Sequence, residues 1–155
     1  MDRELLLQGM DTKRRLFGTF FAFNNQLQTA GDAFYDEITC KQFFLIICLS
    51  VFKEEPPTIN DLSEVMGSTH QNVKQILNKL EESGYIRTYQ DEKDKRKCRI
   101  MMTEKIILLE QKYKVREMEF MELFYKGITE EEVNVTLQTL LKLEKNLSSI
   151  REEMK

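Results

Sequence analysis

Apolar residues recur at helical spacing along most of the chain. Between Thr12 and Ala30 they step by four, three, four and three positions, which predicts one amphipathic helix. The stripe of that helix is Leu16, Phe20, Phe23, Leu27 and Ala30. Phe17 and Phe21 widen the stripe, so this helix presents more apolar surface than one ordinary face needs. The segment Cys40–Phe52 is apolar nearly all round, which predicts a central helix.

Short polar signals mark where helices begin and end. Three threonines ahead of predicted helices are followed three residues later by Gln, Asp or Glu, the spacing of a capping box: Thr39, Thr58 and Thr129. Glycines and prolines are expected to separate the helices at Gly31, Pro56-Pro57, Gly67, Gly84 and Gly127. The predicted order is two helices, a short helix, another helix, a β-hairpin, and two long helices. Thr103 is expected to cap the first of these last two helices, which ends near Lys126, and the second ends near Ile150.

The middle of the chain has the pattern of a winged helix-turn-helix. A short helix opened by Thr58 ends at Gly67, where the turn needs a residue that tolerates a positive φ. The next helix begins after Ser68 or Thr69 and carries four apolar anchors, namely Val73, Ile76, Leu77 and Leu80. Two strands, Tyr85–Tyr89 and Cys98–Met102, then enclose the charged tip Gln90–Lys97. The predicted fold class is therefore mainly α with a small β-hairpin wing.

The second helix of this motif has a polar face with no acidic residue until Glu81. Amides and hydroxyls on that face can pair with base edges, and lysines can pair with phosphates. A solvated helix face is the simpler explanation, but acids outnumber bases in this chain and an arbitrary exposed face should contain them. We therefore predict DNA contacts at Ser68, Thr69, His70, Gln71, Asn72, Lys74, Gln75 and Lys79.

The net charge of the whole chain argues against a nucleic-acid partner, but its distribution along the sequence does not. The 155 residues include 23 Lys+Arg and 26 Asp+Glu, for a net charge of −3. Residues 68–105 hold nine basic and six acidic side chains, a local charge of +3, so the remainder carries −6. Within that segment the run Lys95, Arg96 and Lys97 lies at the hairpin tip, where it is predicted to reach a minor groove or the phosphate backbone.

At these residues the chain resembles the MarR family of winged helix-turn-helix transcription regulators. Residues 62–86 look like the two DNA-binding helices of the family, and residues 94–103, DKRKCRIMMT, are similar to its wing signature of D-x-R followed by an apolar residue and Thr. Ile38-Thr39 with Gln42-Phe43 resembles the start of its second helix. Three features depart from the family pattern. Met102 stands where leucine is common, and His70 where arginine or a small polar residue is frequent. Pro56-Pro57 precedes the region where the family often has a short first strand, which is therefore expected only at Thr58-Ile59.

The resemblance implies a homodimer that binds double-stranded DNA. The first helix and the last two would intertwine as a dimerisation layer, so the chain would divide into a dimerisation helix, 1–36, a DNA-binding domain, 37–103, and C-terminal dimerisation helices, 104–155. The second helix of the motif would enter the major groove and Arg96 the minor groove, with Asp94 holding that arginine. Twofold symmetry would make the operator palindromic, and we expect the regulator to be a repressor.

The sequence leaves two possible signals for regulation, a small-molecule effector and oxidation of a cysteine. Relatives bind small apolar or phenolic effectors between the dimer layer and the DNA-binding lobe, although aromatic stripes at this spacing are more often plain core. The residues expected to line such a pocket are Phe17, Phe21, Phe44, Cys48 and Tyr113. Other members sense oxidants through a cysteine near the first helix. Here residues 1–39 contain none, and Cys40 is the candidate because a helix N-terminus lowers a thiol pKa, whereas burial raises it.

Other function classes have little support in the sequence. The chain has one histidine, and its three cysteines lack zinc-ligand spacing. No nucleotide-binding or hydrolase fingerprint occurs, so we expect neither an enzyme nor a cofactor or metal. The absence of an apolar leader and the short apolar run Phe43–Leu49 predict a cytoplasmic protein that does not cross a membrane. The alternative from another class is a winged-helix protein-interaction module, which predicts an apolar patch on the recognition face.

Overall fold

The structure is a computed structural model that describes residues 7–154. It contains six helices and one antiparallel pair of strands in that part of the chain. In chain order these are α1 (Thr12–Phe34), α2 (Cys40–Ser50), α3 (Ile59–Val65), α4 (His70–Glu82), β1 (Ile86–Gln90), β2 (Cys98–Met102), α5 (Lys105–Phe124) and α6 (Glu130–Glu153). The mainly α fold with a β-hairpin is thus confirmed, and the intertwined dimerisation layer stays a prediction.

The chain forms two compact units, one up to Ile107 and one from Leu108. The first unit contains α1 to α4, the hairpin and the first residues of α5. The second contains the rest of α5 and α6. The functional division into 1–36, 37–103 and 104–155 stays a prediction. The helix-turn-helix and the hairpin both lie in the first unit, which is the one that matters for the site below.

Side-chain caps start the helices where the sequence predicts. All three capping boxes are formed, at Thr39, Thr58 and Thr129. Of the two cap candidates for α4, Thr69 is the N-cap, and its Oγ1 accepts a hydrogen bond from the backbone N–H of Asn72 at 3.3 Å. These interactions satisfy backbone donors that have no partner inside the helix, which is why they identify helix starts from sequence.

Gly31 does not break α1, contrary to the expectation from its place in the sequence. The helix runs through Gly31 and ends at Phe34. A Cβ at position 31 would lie 2.6 Å from the Sγ of Cys40, so the missing side chain allows close packing of α1 against the start of α2. The glycines that follow helices, Gly67, Gly84 and Gly127, have a positive φ, which was expected for Gly67.

The core of the first unit forms around α2, which confirms its predicted central position. Leu45, Ile46, Cys48 and Leu49 of α2 are buried. They contribute to a core with apolar residues of α3, α4 and the hairpin, among them Leu62, Val73, Leu77, Leu80, Ile86 and Ile100. The helix ends at Ser50, two residues before the predicted end, and Phe44 and Ile47 on its other side are 45% exposed.

The hairpin pairs Ile86 with Met102 and Gln90 with Cys98. Its first strand starts and ends one residue later than predicted, and the buried Tyr85 has no partner in the ladder. An isolated bridge joins Thr58 to Arg99, which adds a third, one-residue strand just ahead of α3. The family's short first strand, expected at Thr58-Ile59, is therefore reduced to Thr58, since Ile59 is already helical.

Large apolar side chains remain exposed on three helices of the single chain. In α1, Leu16, Phe17, Phe21 and Phe23 are 45–63% exposed. In α6 no residue is buried, and its leucines are among the exposed apolar residues: Leu137, Leu140, Leu141 and Leu147. Exposed apolar residues of α5 include Leu108, Val115, Met118 and Leu123. The sequence stripes are therefore helical as predicted, but the chain by itself does not cover them. None of the described helices is both long and apolar enough to pass through a membrane.

Candidate nucleic-acid interface

The turn between α3 and α4 sets the direction of the recognition helix. The backbone N–H of Gly67 donates to the carbonyl of Glu64 at 3.0 Å, and that of Ser68 donates to the carbonyl of Ser63 at 3.0 Å. Gly67 has a φ of 59°, a conformation that costs a glycine little and other residues more. The chain therefore reverses within three residues, and Thr69 starts α4 immediately afterwards.

Burial of one side of α4 leaves its opposite side open to solvent. Val73, Leu77 and Leu80 are buried. Helical spacing places Gln71 and Gln75 directly opposite them. Of the predicted DNA contacts on this element, Ser68 is half-buried and the others are exposed: Thr69, His70, Gln71, Asn72, Lys74, Gln75 and Lys79. Their role in DNA binding stays a prediction, but the structure presents them on one helix, its N-cap and the residue before the cap.

The N-terminal end of α4 favours anions. No acidic residue lies in its first turn, and the backbone amides there carry the positive end of the helix dipole. Thr69 uses its hydroxyl oxygen as acceptor for the cap, which leaves its methyl group and hydroxyl hydrogen for another partner. The first turn of α4 can therefore contact a phosphate or a base edge, because it has no carboxylate of its own that would repel the DNA.

The wing tip is a structured turn with four exposed cations, Lys93 and the run 95–97. Asp91 Oδ1 accepts hydrogen bonds from the backbone N–H groups of Lys93 and Asp94, at 2.8 and 2.9 Å. Lys97 closes the turn by donating its N–H to the carbonyl of Asp94 at 2.8 Å. This pattern is an Asx-turn, in which a side chain replaces a backbone acceptor. Lys95, Arg96 and Lys97 all lie on its exposed side.

Asp94 holds the guanidinium of Arg96 in a two-point contact. Arg96 Nε lies 3.0 Å from Asp94 Oδ1, and Arg96 Nη2 lies 3.3 Å from Oδ2. The arginine side chain is nevertheless 91% exposed. The hydrogen bonds from Arg96 lower the pKa of Asp94, so this carboxylate is ionised at neutral pH. The geometry agrees with the expected support of the wing arginine by Asp94, a role that stays a prediction.

Arg99 differs from the other wing cations because it is buried. Its side chain is 10% exposed, and its guanidinium is paired with Asp91 and Glu55 at 2.6 Å each. It was counted among the nine bases of residues 68–105, but its charge is neutralised inside the protein. Sequence reasoning missed Arg99, Asp91 and Glu55 as a group, because Glu55 is 44 residues from Arg99 and no local spacing connects them.

The expected effector residues do not share one environment. Phe17 and Phe21 are 62% and 63% exposed, and their rings meet edge to face with centroids 5.3 Å apart. Phe44 is also exposed, whereas Cys48 is buried in the core of the first unit. Tyr113 is buried and belongs to the second unit. A pocket lined by all five stays a prediction.

Cys40 does not have the lowered pKa that its helix position suggests. Burial raises the pKa of its thiol, and the nearby charge of Asp32 raises it further. Asp32 Oδ1 also accepts the backbone N–H of Cys40 at 2.7 Å, so the amide at the helix start is occupied. Burial raises the pKa of Cys48 too, as expected for an inert core thiol. Over the described residues no group of His, Cys, Asp and Glu is arranged to bind a metal.

Part of the sequence matches a family model, and the fold resembles several solved structures. Residues 46–97, which extend from α2 through α4 to the wing tip, match the family model described as the MarR family. No curated protein sequence matches the chain. A MarR/EmrR family transcriptional regulator from Acinetobacter sp. ADP1 has a TM-score of 0.78 at 21% identity, covering 90% of this chain and 99% of that one.

Two similar structures were solved with DNA. S. aureus MepR, in a complex with DNA, has a TM-score of 0.71 at 22% identity, covering 83% of this chain and 94% of that one. Streptococcus pneumoniae FabT, also in complex with DNA, has a TM-score of 0.62 at 26% identity, covering 90% and 99%. The family model thus matches about a third of the chain, from the second helix through the helix-turn-helix to the wing tip, and the likeness of fold to these solved structures extends over most of the chain.

Proposed function

We propose that this protein is a sequence-specific DNA-binding transcription regulator, a repressor that binds a palindromic operator as a homodimer. The observation that carries the proposal is the exposed, acid-free polar face of α4 in the same compact unit as the exposed cation run 95–97 of the wing. In a helix-turn-helix protein such a helix lies in the major groove and the wing meets the adjacent backbone or minor groove. The DNA complexes of MepR and FabT support the same use of the fold.

The homodimer is supported by the apolar faces that the single chain leaves exposed. Helices α1, α5 and α6 each expose several large apolar side chains, as described above. Many large apolar side chains exposed along one helix are unusual for a monomer and are typical of an interface between subunits. A twofold-symmetric dimer would present two copies of α4, and two half-sites about one helical turn apart would then form a palindrome.

A small apolar or phenolic effector is the proposed trigger that releases DNA. The exposed edge-to-face pair of Phe17 and Phe21 supplies aromatic surface of the kind that such molecules contact. A redox switch through the thiol of Cys40 is disfavoured, because its raised pKa keeps the sulfur protonated and poorly nucleophilic at neutral pH. The protein-interaction module is disfavoured as well, since the recognition face is polar and not apolar.

Selection of bound sequences from random duplexes tests this function most directly. We expect recovery of one palindromic motif whose half-sites are separated by about 10 base pairs, because one turn of DNA returns the major groove to the same side. Binding that is weak and recovers no motif would contradict the proposal and would favour the protein-interaction module.

Arg96→Ala is expected to weaken operator binding and to reduce its salt dependence. Removing one cation at the DNA backbone or minor groove should lower the slope of log affinity against log salt by about one. The measurement is a titration at several salt concentrations. Lys53→Ala, which removes an exposed cation outside the wing and α4, is the control and should leave the slope unchanged. An unchanged slope in Arg96→Ala would show that the wing makes no contact through this residue.

A further inference from the structure

Arg99 is a buried cation in the DNA-binding lobe that does not face DNA. All three of its guanidinium nitrogens donate to acceptors within the protein. Nε donates to Asp91 Oδ2 at 2.6 Å, Nη2 to Glu55 Oε1 at 2.6 Å, and Nη1 to the carbonyl of Pro56 at 2.8 Å. The guanidinium is rigid and planar, so its five N–H groups can all be directed at acceptors in only a few arrangements of the surrounding residues. A buried guanidinium with all three nitrogens hydrogen-bonded therefore fixes the positions of its partners.

These acceptors come from two separate parts of the lobe. Glu55 and Pro56 belong to the loop just ahead of the helix-turn-helix, whereas Asp91 begins the wing tip. The backbone strengthens the same connection, because the N–H of Ile100 donates to the carbonyl of Pro57 at 2.9 Å and Thr58 bridges to Arg99. The guanidinium therefore joins the start of the helix-turn-helix to the base of the wing.

Asp91 extends this connection to the cation that is expected to touch DNA. One carboxylate oxygen, Oδ2, receives Arg99, while the other, Oδ1, receives the backbone N–H groups of Lys93 and Asp94. Asp94 in turn holds Arg96. Hydrogen bonds from these backbone amides and from Arg99 lower the pKa of Asp91 to about 2, so its charge persists at any physiological pH.

We propose that Arg99 and Asp91 are positioning residues, which hold the wing tip in place relative to the helix-turn-helix so that its cations meet DNA already arranged. This inference rests on the proposed function, because it concerns how the wing contributes to DNA binding. A wing tip that is already fixed in the free protein loses less conformational entropy when it binds DNA. Neither residue needs to contact DNA for this purpose.

The direction in which Asp91→Asn changes operator affinity distinguishes a positioning role from an effect of charge alone. Asp91→Asn removes a negative charge from a surface expected to face phosphates, so charge alone predicts tighter DNA binding. The asparagine can keep an oxygen toward the two backbone amides, but its NH2 group would then face the Nε–H of Arg99, donor against donor. Loss of that hydrogen bond should release the wing, and we expect operator affinity to fall by about 10-fold.

Glu92→Gln is the matched control. It makes the same charge change at the next residue of the same tip, and within the described part of the chain the exposed Glu92 side chain has no hydrogen bond or ion pair. We expect its operator affinity to be unchanged or slightly higher. Asp91→Asn binding as tightly as Glu92→Gln, or more tightly, would overturn the proposal.

Trypsin cleavage of the DNA-free protein provides a second readout that does not depend on the proposed function. Cleavage after Arg96 and Lys97 should be about 10-fold faster in Asp91→Asn than in Glu92→Gln, because a released tip enters the protease more often. Equal rates would overturn the proposal. If the wild-type protein binds no duplex, the proposed function fails, but the cleavage rates still test the tie between Arg99 and Asp91.

A second pair of variants keeps the test decisive if Asp91→Asn folds poorly, as judged by its melting temperature. Glu55→Gln weakens the other side of the Arg99 contact, and Glu54→Gln changes the same charge one residue earlier. The Glu55→Gln protein should again bind operator less tightly and lose its wing to trypsin faster than Glu54→Gln. No difference between these two variants in either measurement would contradict the proposal.

Discussion

Replacing Leu140 and Leu147 by glutamate is expected to make the protein monomeric and to lower its operator affinity by about 100-fold or more. Both leucines lie in α6, where they are 43% and 57% exposed in the single chain. They are seven residues apart and so lie on the same side of the helix. Burying a carboxylate in an apolar interface is unfavourable, and losing the second half-site contact removes the avidity of a two-site complex, about 10²–10⁴.

The matched control for this prediction is the double variant Gln138→Glu with Lys145→Gln. It lowers the net charge by the same two units on the opposite side of the same helix, and its two positions are also seven residues apart. Sedimentation at several protein concentrations should give a dimer for this control and a monomer for the leucine variant. A leucine variant that remains dimeric at the same concentrations would exclude this face of α6 from the interface.

Gln71→Ala is expected to reduce the preference for operator over random DNA by about 5- to 150-fold, the range for loss of one good base contact. Gln71 is exposed in the first turn of α4 and points away from the buried Val73 and Leu77. The N-terminal residues of a recognition helix are the ones that contact base edges. Because glutamine carries no charge, affinity for random DNA should be unchanged.

Asn78→Ala is the control for Gln71→Ala. Asn78 is an exposed amide on the same side of α4, two turns nearer its C-terminus, where base contacts are not expected. Both variants are measured by titration with operator and with a random duplex of equal length. An equal loss on both duplexes would indicate a structural effect of the substitution, and no loss on either would remove Gln71 from the set of base contacts.

Most element boundaries in this protein could be predicted because they depend on neighbours in sequence. The capping boxes of α2, α3 and α6 each involve two residues three positions apart, and all three are formed as predicted. The glycines that end α3 and α4 are required by a local backbone conformation. The apolar stripes were also correct as helices, because their period is a property of one helix alone.

Packing decided the features that the sequence pattern missed. Gly31 was expected to interrupt α1, but it is helical because a residue nine positions later lies against it. For the pKa of Cys40 the sequence left two opposing effects open, a helix start that lowers it and burial that raises it, and burial together with the charge of Asp32 raises it. Both outcomes depend on contacts between two elements, which a local rule does not contain.

By itself the sequence determined the winged helix-turn-helix, the polar face of α4 and the cationic wing tip, because each depends on the spacing of residues within one or two elements. Only the tertiary structure showed that the cation at position 99 belongs to the protein interior and the three at 95–97 to the surface. A count of charges treats these four residues alike. Burial and the acceptors supplied by Glu55 and Pro56, distant in sequence, separate a positioning arginine from those that can reach DNA.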